Sequence, residues 1–199
     1  MQLNELKFAC LDTETTGLSP ADGGKICEIA VSVSQGGRPV EEFSTLLNPG
    51  MPMHPEVIAI HGITNEMVAS APKFADILPK LLGLLDDCVI VAHNADFDVN
   101  FLRSEFAQCG MRFPPYPVID TLKLARKSGK FAKNNLGCIA ADLGINCAGW
   151  HRAMADTKMA EQIFYYFLNR LSGQGVKTVE KLQQFQYKNW AELLSAPAI

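Results

Sequence analysis

The chain lacks an excess of positive charge. Its 18 lysines and arginines are outnumbered by 21 aspartates and glutamates, giving a formal net charge of −3 over 199 residues. Proteins that coat duplex nucleic acid carry a large basic surplus. The balance here argues against a long binding footprint and leaves room for a small cleft that grips a chain end. Six cysteines stand at 10, 27, 88, 109, 138 and 147, with no C-x-x-C pair and no zinc-ligand spacing among them. Most lie in apolar stretches and read as reduced core thiols rather than disulfides or zinc ligands. The start, Met1-Gln2-Leu3-Asn4-Glu5, lacks a basic region followed by an apolar run, and no stretch reaches transmembrane length. Internal repeats and low-complexity segments are absent too. The expectation is a soluble, cytoplasmic protein with no membrane association.

Hydrophobic residues make up 48% of the chain, enough for one domain of about 170 residues plus a tail. Residues 7–12 and 26–34 read as buried strands, the turn Gln35-Gly36-Gly37 follows, and 40–47 form the return strand. The period then changes. Phe74, Ile77, Leu78, Leu81, Leu82 and Leu85 recur at helical spacing. A short apolar strand over 88–92 leads to a helix over 95–109. Val118 and Ile119 form another short strand, and a helix begins at Thr121. Asn135 is an N-cap candidate for a helix over 136–143 that stops before Gly144. Ala160, Ile163, Phe164, Phe167, Leu168 and Leu171 form one face of a helix over 153–171. The order suggests an α/β protein whose mixed sheet is flanked by helices. Residues 1–171 are expected to form the domain. Ser172-Gly173-Gln174-Gly175 opens a linker, and 172–199 a tail with a helix over 178–194. That helix either packs back on the domain or docks a partner.

Three segments carry the chemistry. The first is Asp12-Thr13-Glu14-Thr15-Thr16-Gly17-Leu18, where a buried strand runs into a turn. Asp12 and Glu14 are two apart and point to one face, so they can share a hard cation. Asp98 lies in the first turn of the 95–109 helix, bordering its apolar stripe. Asp156 is the sharpest case: helical steps from it reach Ala160, Ile163 and Phe167, so it points inward. Carboxylates gathered from separate elements repel one another, and divalent cations are the usual reason a fold tolerates them. His151, five residues earlier, would sit about 140° away on a continuous helix. It therefore belongs to the preceding loop, where it suits a general base. His93 and Asn94 read as structural or substrate-orienting. Glu56 and His61 lie in a loop, equally suited to holding a terminal nucleotide and to local packing. Asp120 is a helix cap or a second-layer support. Residues 123–133 carry five positive charges and no acid, a solvated face or a local phosphate-attracting patch. The sum is a two-metal phosphodiester hydrolase.

These segments, Leu11–Leu18, His93-Asn94-Ala95-x-Phe97-Asp98 and His151-x-Ala153-x-x-Asp156, resemble those of the DEDDh 3′–5′ exonucleases. Within that family the likeness leans toward the proofreading epsilon subunits of bacterial DNA polymerase III, and it covers residues 7 to about 171. The segment from Pro55-Glu56 through His61-Gly62-Ile63 is similar as well. The resemblance implies a ribonuclease H-like fold with a mixed five-stranded sheet. It implies that Asp12, Glu14, Asp98 and Asp156 hold two Mg²⁺ or Mn²⁺ ions and that His151 activates water. It implies that Glu14, Thr15, Gly17, Leu18, Glu56, Ile60, His61 and Phe97 line the pocket for a 3′-terminal nucleotide. The expected reaction releases nucleoside 5′-monophosphates from single-stranded or frayed DNA, in proofreading or repair. If the tail docks a partner rather than packing back on the domain, the resemblance implies a DNA polymerase subunit as that partner. RNA trimming is the nearest alternative, and a catalytically silent binding scaffold the more distant one.

Overall fold

The computed structural model describes residues 3–149, 151–188 and 190. Its frame is one five-stranded sheet made of β1 (Lys7–Thr15), β2 (Ile26–Gln35), β3 (Arg38–Leu46), β4 (Cys88–Ala92) and β5 (Val118–Asp120). The spatial order is β3-β2-β1-β4-β5. β1, β2 and β3 form an antiparallel meander, while β4 and β5 add on parallel to β1. The sheet is therefore mixed. Gly36 and Gly37 both take positive φ in the β2–β3 turn, a conformation glycine adopts without steric cost.

Helices cover both faces. They are α1 (Pro55–His61), α2 (Asn65–Val68), α3 (Phe74–Leu85), α4 (Ala95–Gln108), α5 (Thr121–Ser128), α6 (Leu136–Asp142), α7 (Ala153–Ser172) and α8 (Val179–Gln184). The alternation along β1 divides the core. Ala9 and Leu11 join the cluster under α3 and α4, whereas Phe8 and Cys10 join the cluster under α6 and α7. α7 presents Met159, Ala160, Ile163, Phe164, Phe167 and Leu171 to the second cluster. Phe164 stacks on Phe8 with ring centroids 4.7 Å apart. Each such ring contributes roughly 1.5–3 kcal/mol by leaving water.

Two expectations need correcting. Residues 55–61, expected as loop, form α1. Pro55 opens this helix and Gly62 closes it at φ 71°, the usual proline-first, glycine-after pattern. The tail helix expected over 178–194 is broken: α8 ends at Gln184, a turn and a bend follow over 185–188, and Trp190 is helical again, while 189 and 191–199 lie outside the described residues. Val176, Leu182, Phe185 and Trp190 are buried in the α7-side cluster, so this part of the tail packs back on the domain. Among the described residues no helix is long and apolar enough to cross a membrane. All six cysteines are free thiols.

Candidate active site

β1 and β4 run parallel, so their carboxyl ends open on the same edge, where open α/β sheets place their ligands. β1 brings Asp12 and Glu14 there. Period-2 alternation turns both toward the α7 side, together with Phe8 and Cys10. α7 begins at Ala153 and carries Asp156, 7% exposed, in its first turn. One carboxylate oxygen from each of Asp12, Glu14 and Asp156 lies within 4.8 Å of the others.

Asp98 arrives from the other face. It lies in the first turn of α4 and is 3% exposed. Its Oδ1 accepts from the Thr13 hydroxyl at 2.7 Å and from the Thr13 amide at 3.0 Å. Thr13, between Asp12 and Glu14, points opposite to them and thereby ties Asp98 to the same strand end. Asp98 is thus held beside the trio rather than within it.

The electrostatics follow from this crowding. Burial, then the charges of Asp98, Asp156 and Glu14, push the Asp12 carboxyl well above its usual range. Glu14 rises to about 8, through burial first and then Asp156, with Arg152 opposing. Burial lifts Asp98 to about 7 against the Thr13 hydrogen bonds. Asp156 rises to about 6, again through burial, while the His151 amide and ring pull it down. Four carboxyls that resist ionisation at one strand end form a site short of positive charge. Hard oxygen donors at this spacing fit divalent cations, which is the demand such a cluster makes.

His151 is exposed and precedes α7, off the helix as its spacing requires. Its backbone takes φ 66°, and its amide donates to Asp156 Oδ1 at 3.2 Å. The residues expected to line a nucleotide pocket are spread around the same edge. Thr15 is buried and donates its hydroxyl to the Gly17 carbonyl at 2.8 Å, shaping the turn that presents Leu18, which is 89% exposed. Ile60 is 58% exposed on α1, and Glu56 is exposed in the first turn of that helix. Phe97 is half-buried and tilted against Phe101 at 4.9 Å. His61 is buried. Its Nδ1 accepts from the Ile63 amide at 3.0 Å, and Nε2 lies 3.9 Å from Cys27 Sγ. Burial holds its pKa below the ordinary histidine value.

His93 bridges elements: Nδ1 lies 2.9 Å from the Thr121 hydroxyl and Nε2 lies 3.0 Å from the Asn134 carbonyl. Asn94 adopts the left-handed conformation at the start of α4, and its amide donates to Asp120 Oδ1 at 3.0 Å. Asp120 also caps α5 by accepting from the Leu122 and Lys123 amides, as its position before that helix suggested.

Sequence reasoning missed Glu28 and its partner Arg152. Glu28 is 3% exposed, lies opposite Glu14 in the β1–β2 register, and pairs with the Arg152 guanidinium at 2.7 Å. A signal was present: Glu28 is a lone acid inside Ile26-Cys27-Glu28-Ile29-Ala30-Val31, the same anomaly that singled out Asp156.

Comparison with known proteins accords with this geometry. Residues 9–164 match the model of a family described as exonuclease. A DNA polymerase III subunit epsilon-like protein of Rhodobacter capsulatus is 39% identical over 181 residues, covering 88% of this chain and 26% of that protein. A PolC-type DNA polymerase III of Thermotoga maritima is 35% identical over 179 residues, covering 90% of this chain and 13% of the relative. The chain thus spans well under a third of the length of either relative. The solved structure of exonuclease X in complex with 5′ overhanging duplex DNA superposes with a TM-score of 0.71 at 30% identity, covering 91% of this chain and 99% of that one. Its three acidic segments are the ones that resemble the DEDDh group, and this chain belongs to the exonuclease family.

Proposed function

We propose that the chain is a metal-dependent 3′–5′ exonuclease domain that removes nucleoside 5′-monophosphates from single-stranded or frayed DNA ends. The observation that supports this most is the Asp12–Glu14–Asp156 cluster, whose oxygens lie within 4.8 Å of one another beside a buried Asp98. These four carboxylates would hold two Mg²⁺ or Mn²⁺ ions, Asp98 from its outer position. When bound, such ions supply positive charge at the scissile phosphate and favour ionisation of an attacking water. The protein's own groups do the remainder. His151, on the exposed turn before α7, takes the proton from water through its imidazole. Thr13 keeps Asp98 oriented through its two hydrogen bonds. Glu14, Thr15, Gly17, Leu18, Glu56, Ile60, His61 and Phe97 surround the terminal nucleotide. Leu18 and Ile60 offer apolar surface to the base, and His61 braces the turn after α1.

The catalytic unit is proposed to run through residue 171, with 172–199 appended. The names of the polymerase relatives support a polymerase partner and a role in proofreading or repair, and the free thiols support a cytoplasmic setting. Incubating the protein with 5′-labelled DNA and RNA oligomers of matched sequence, with Mg²⁺, Mn²⁺ or chelator, and following both the shortening products and the released nucleotides, tests the reading. Stepwise mononucleotide release from DNA, abolished by chelator, is expected. Release from RNA alone would move the assignment to RNA trimming. No release with either metal would favour a silent scaffold.

A further inference from the structure

Glu28 is a fifth carboxylate beside the acidic cluster, and it is neutralised from within the protein. Arg152 Nη2 donates to Glu28 Oε1 at 2.7 Å and Arg152 Nε donates to Oε2 at 3.2 Å. This is a bidentate fork, the more directional form of a charge pair. The same Oε2 accepts the Ala153 amide at 3.0 Å. Arg152 and Ala153 are the N-cap and first residue of α7, and the Arg152 side chain makes no capping bond itself. Glu28 therefore caps α7 from a different element, β2.

The residue just before this clamp is His151. Its φ of 66° lies in the left-handed region, unfavourable for a side chain with a Cβ. Such a conformation persists only where the surroundings over-determine it. Asp156 holds the turn through the His151 amide, and Glu28 holds the next two residues. An ordinary helix cap needs a carboxylate near an amide but not the guanidinium fork, and it does not act on a strained neighbour.

We propose that the Glu28–Arg152–Ala153 clamp is a positioning device that fixes the His151 imidazole at the acidic cluster. Glu28 and Arg152 touch neither the substrate nor the attacking water in this scheme and act through the turn. The inference rests on the proposed role of His151 as proton acceptor.

The test uses the full chain with Glu28→Gln, Arg152→Lys and Arg152→Gln. Glu28→Gln keeps the size and a carbonyl acceptor for Ala153 but loses the charge that grips the fork. Three readouts are taken: kcat and KM for nucleotide release, circular-dichroism melting, and the rate at which diethyl pyrocarbonate modifies His151, with His54 as an internal reference. Glu28→Gln and Arg152→Gln should lower kcat at least tenfold with KM changed less than twofold. His151 modification should accelerate relative to His54. Arg152→Lys, which keeps charge without the fork, should fall between. Wild-type kcat in Glu28→Gln, or a lowered kcat with unchanged His151 modification, overturns the clamp. Should Glu28→Gln fail to fold, Arg152→Lys carries the same two criteria. If the unaltered protein releases no nucleotide, the exonuclease reading falls on its own. The clamp is then judged by modification: faster reaction at His151 in the variants sustains it, and an unchanged rate overturns it.

Discussion

Asp12, Glu14, Asp98 and Asp156 all hold protons more tightly than free carboxylates do, and this has a measurable consequence without metal. A carboxyl with a raised folded-state pKa stabilises the fold below its unfolded value, and that contribution is lost as pH rises through the folded value. In chelator, the melting temperature should therefore fall between about pH 4, the ordinary carboxyl range, and pH 8, the level reached by Glu14. Adding Mg²⁺ or Mn²⁺ should recover much of the loss at the alkaline end, and thermal melts at stepped pH check both points. Asp12→Ala should reduce cleavage below detection while leaving a folded circular-dichroism spectrum, because it removes a repelling charge along with a ligand. His151→Ala should cut turnover by about 10²- to 10⁴-fold with little change in oligonucleotide affinity; an equal loss of binding would make His151 a contact residue. At this scale Asp156 was legible because it broke an apolar helical stripe. Glu28 broke the same pattern, but its partner lies at residue 152, and no local spacing links the two. That Asp98 would attach through Thr13 on the opposite face was equally hidden, since it depends on how α4 crosses the end of β1.

Elements with strong periodicity were readable, and those whose identity rests on end signals were less so. α3 and α7 follow their stripes of apolar residues closely. α1 has seven residues and only His61 buried, so no stripe announced it, although Pro55 and Gly62 bracketed it. β1 extends to Thr15, beyond the apolar run that defined it, because its acidic end still pairs with β2 through Glu14. The tail's packing was foreshadowed by its apolar spacing, but its polar contribution was not. Gln186, 3% exposed, accepts the Asp120 amide and donates to the Val118 carbonyl, satisfying β5 at the edge of the sheet. Asp120 in turn receives the Asn94 amide at the start of α4. Gln186→Ala should cost about 1–3 kcal/mol by stranding these groups, read from denaturant midpoints. Phe164→Ala, in the centre of the α7 interface, should cost about 3–5 kcal/mol.

Across the whole molecule, charge is distributed unevenly against a net of −3. The basic segment 123–133 is held near the start of α4 by its first residue and by the residue just past its end. Lys123 pairs with Asp96 at 2.7 Å, and the Asn134 carbonyl meets His93. Arg126, Lys127 and Lys133 are exposed and have no carboxylate within salt-bridge distance among the described residues. Reversing Arg126 and Lys127 to Glu should weaken binding of long single strands and reduce the salt slope of log affinity by about 1 for each phosphate no longer neutralised. Turnover of a dinucleotide should be unaffected, and fluorescence anisotropy over a salt series reads the difference.

The two halves of the acidic cluster come from β1 and from the start of α7, nearly the full length of the domain apart along the polypeptide. A growing chain on the ribosome that has not yet emitted residue 156 carries Asp12, Glu14 and Asp98 without the carboxylate that completes the cluster. On the proposed function, cleavage is thereby deferred until α7 has emerged and packed on the sheet, and proteolytic pieces from either side of a mid-chain nick should be harmless to nucleic acid.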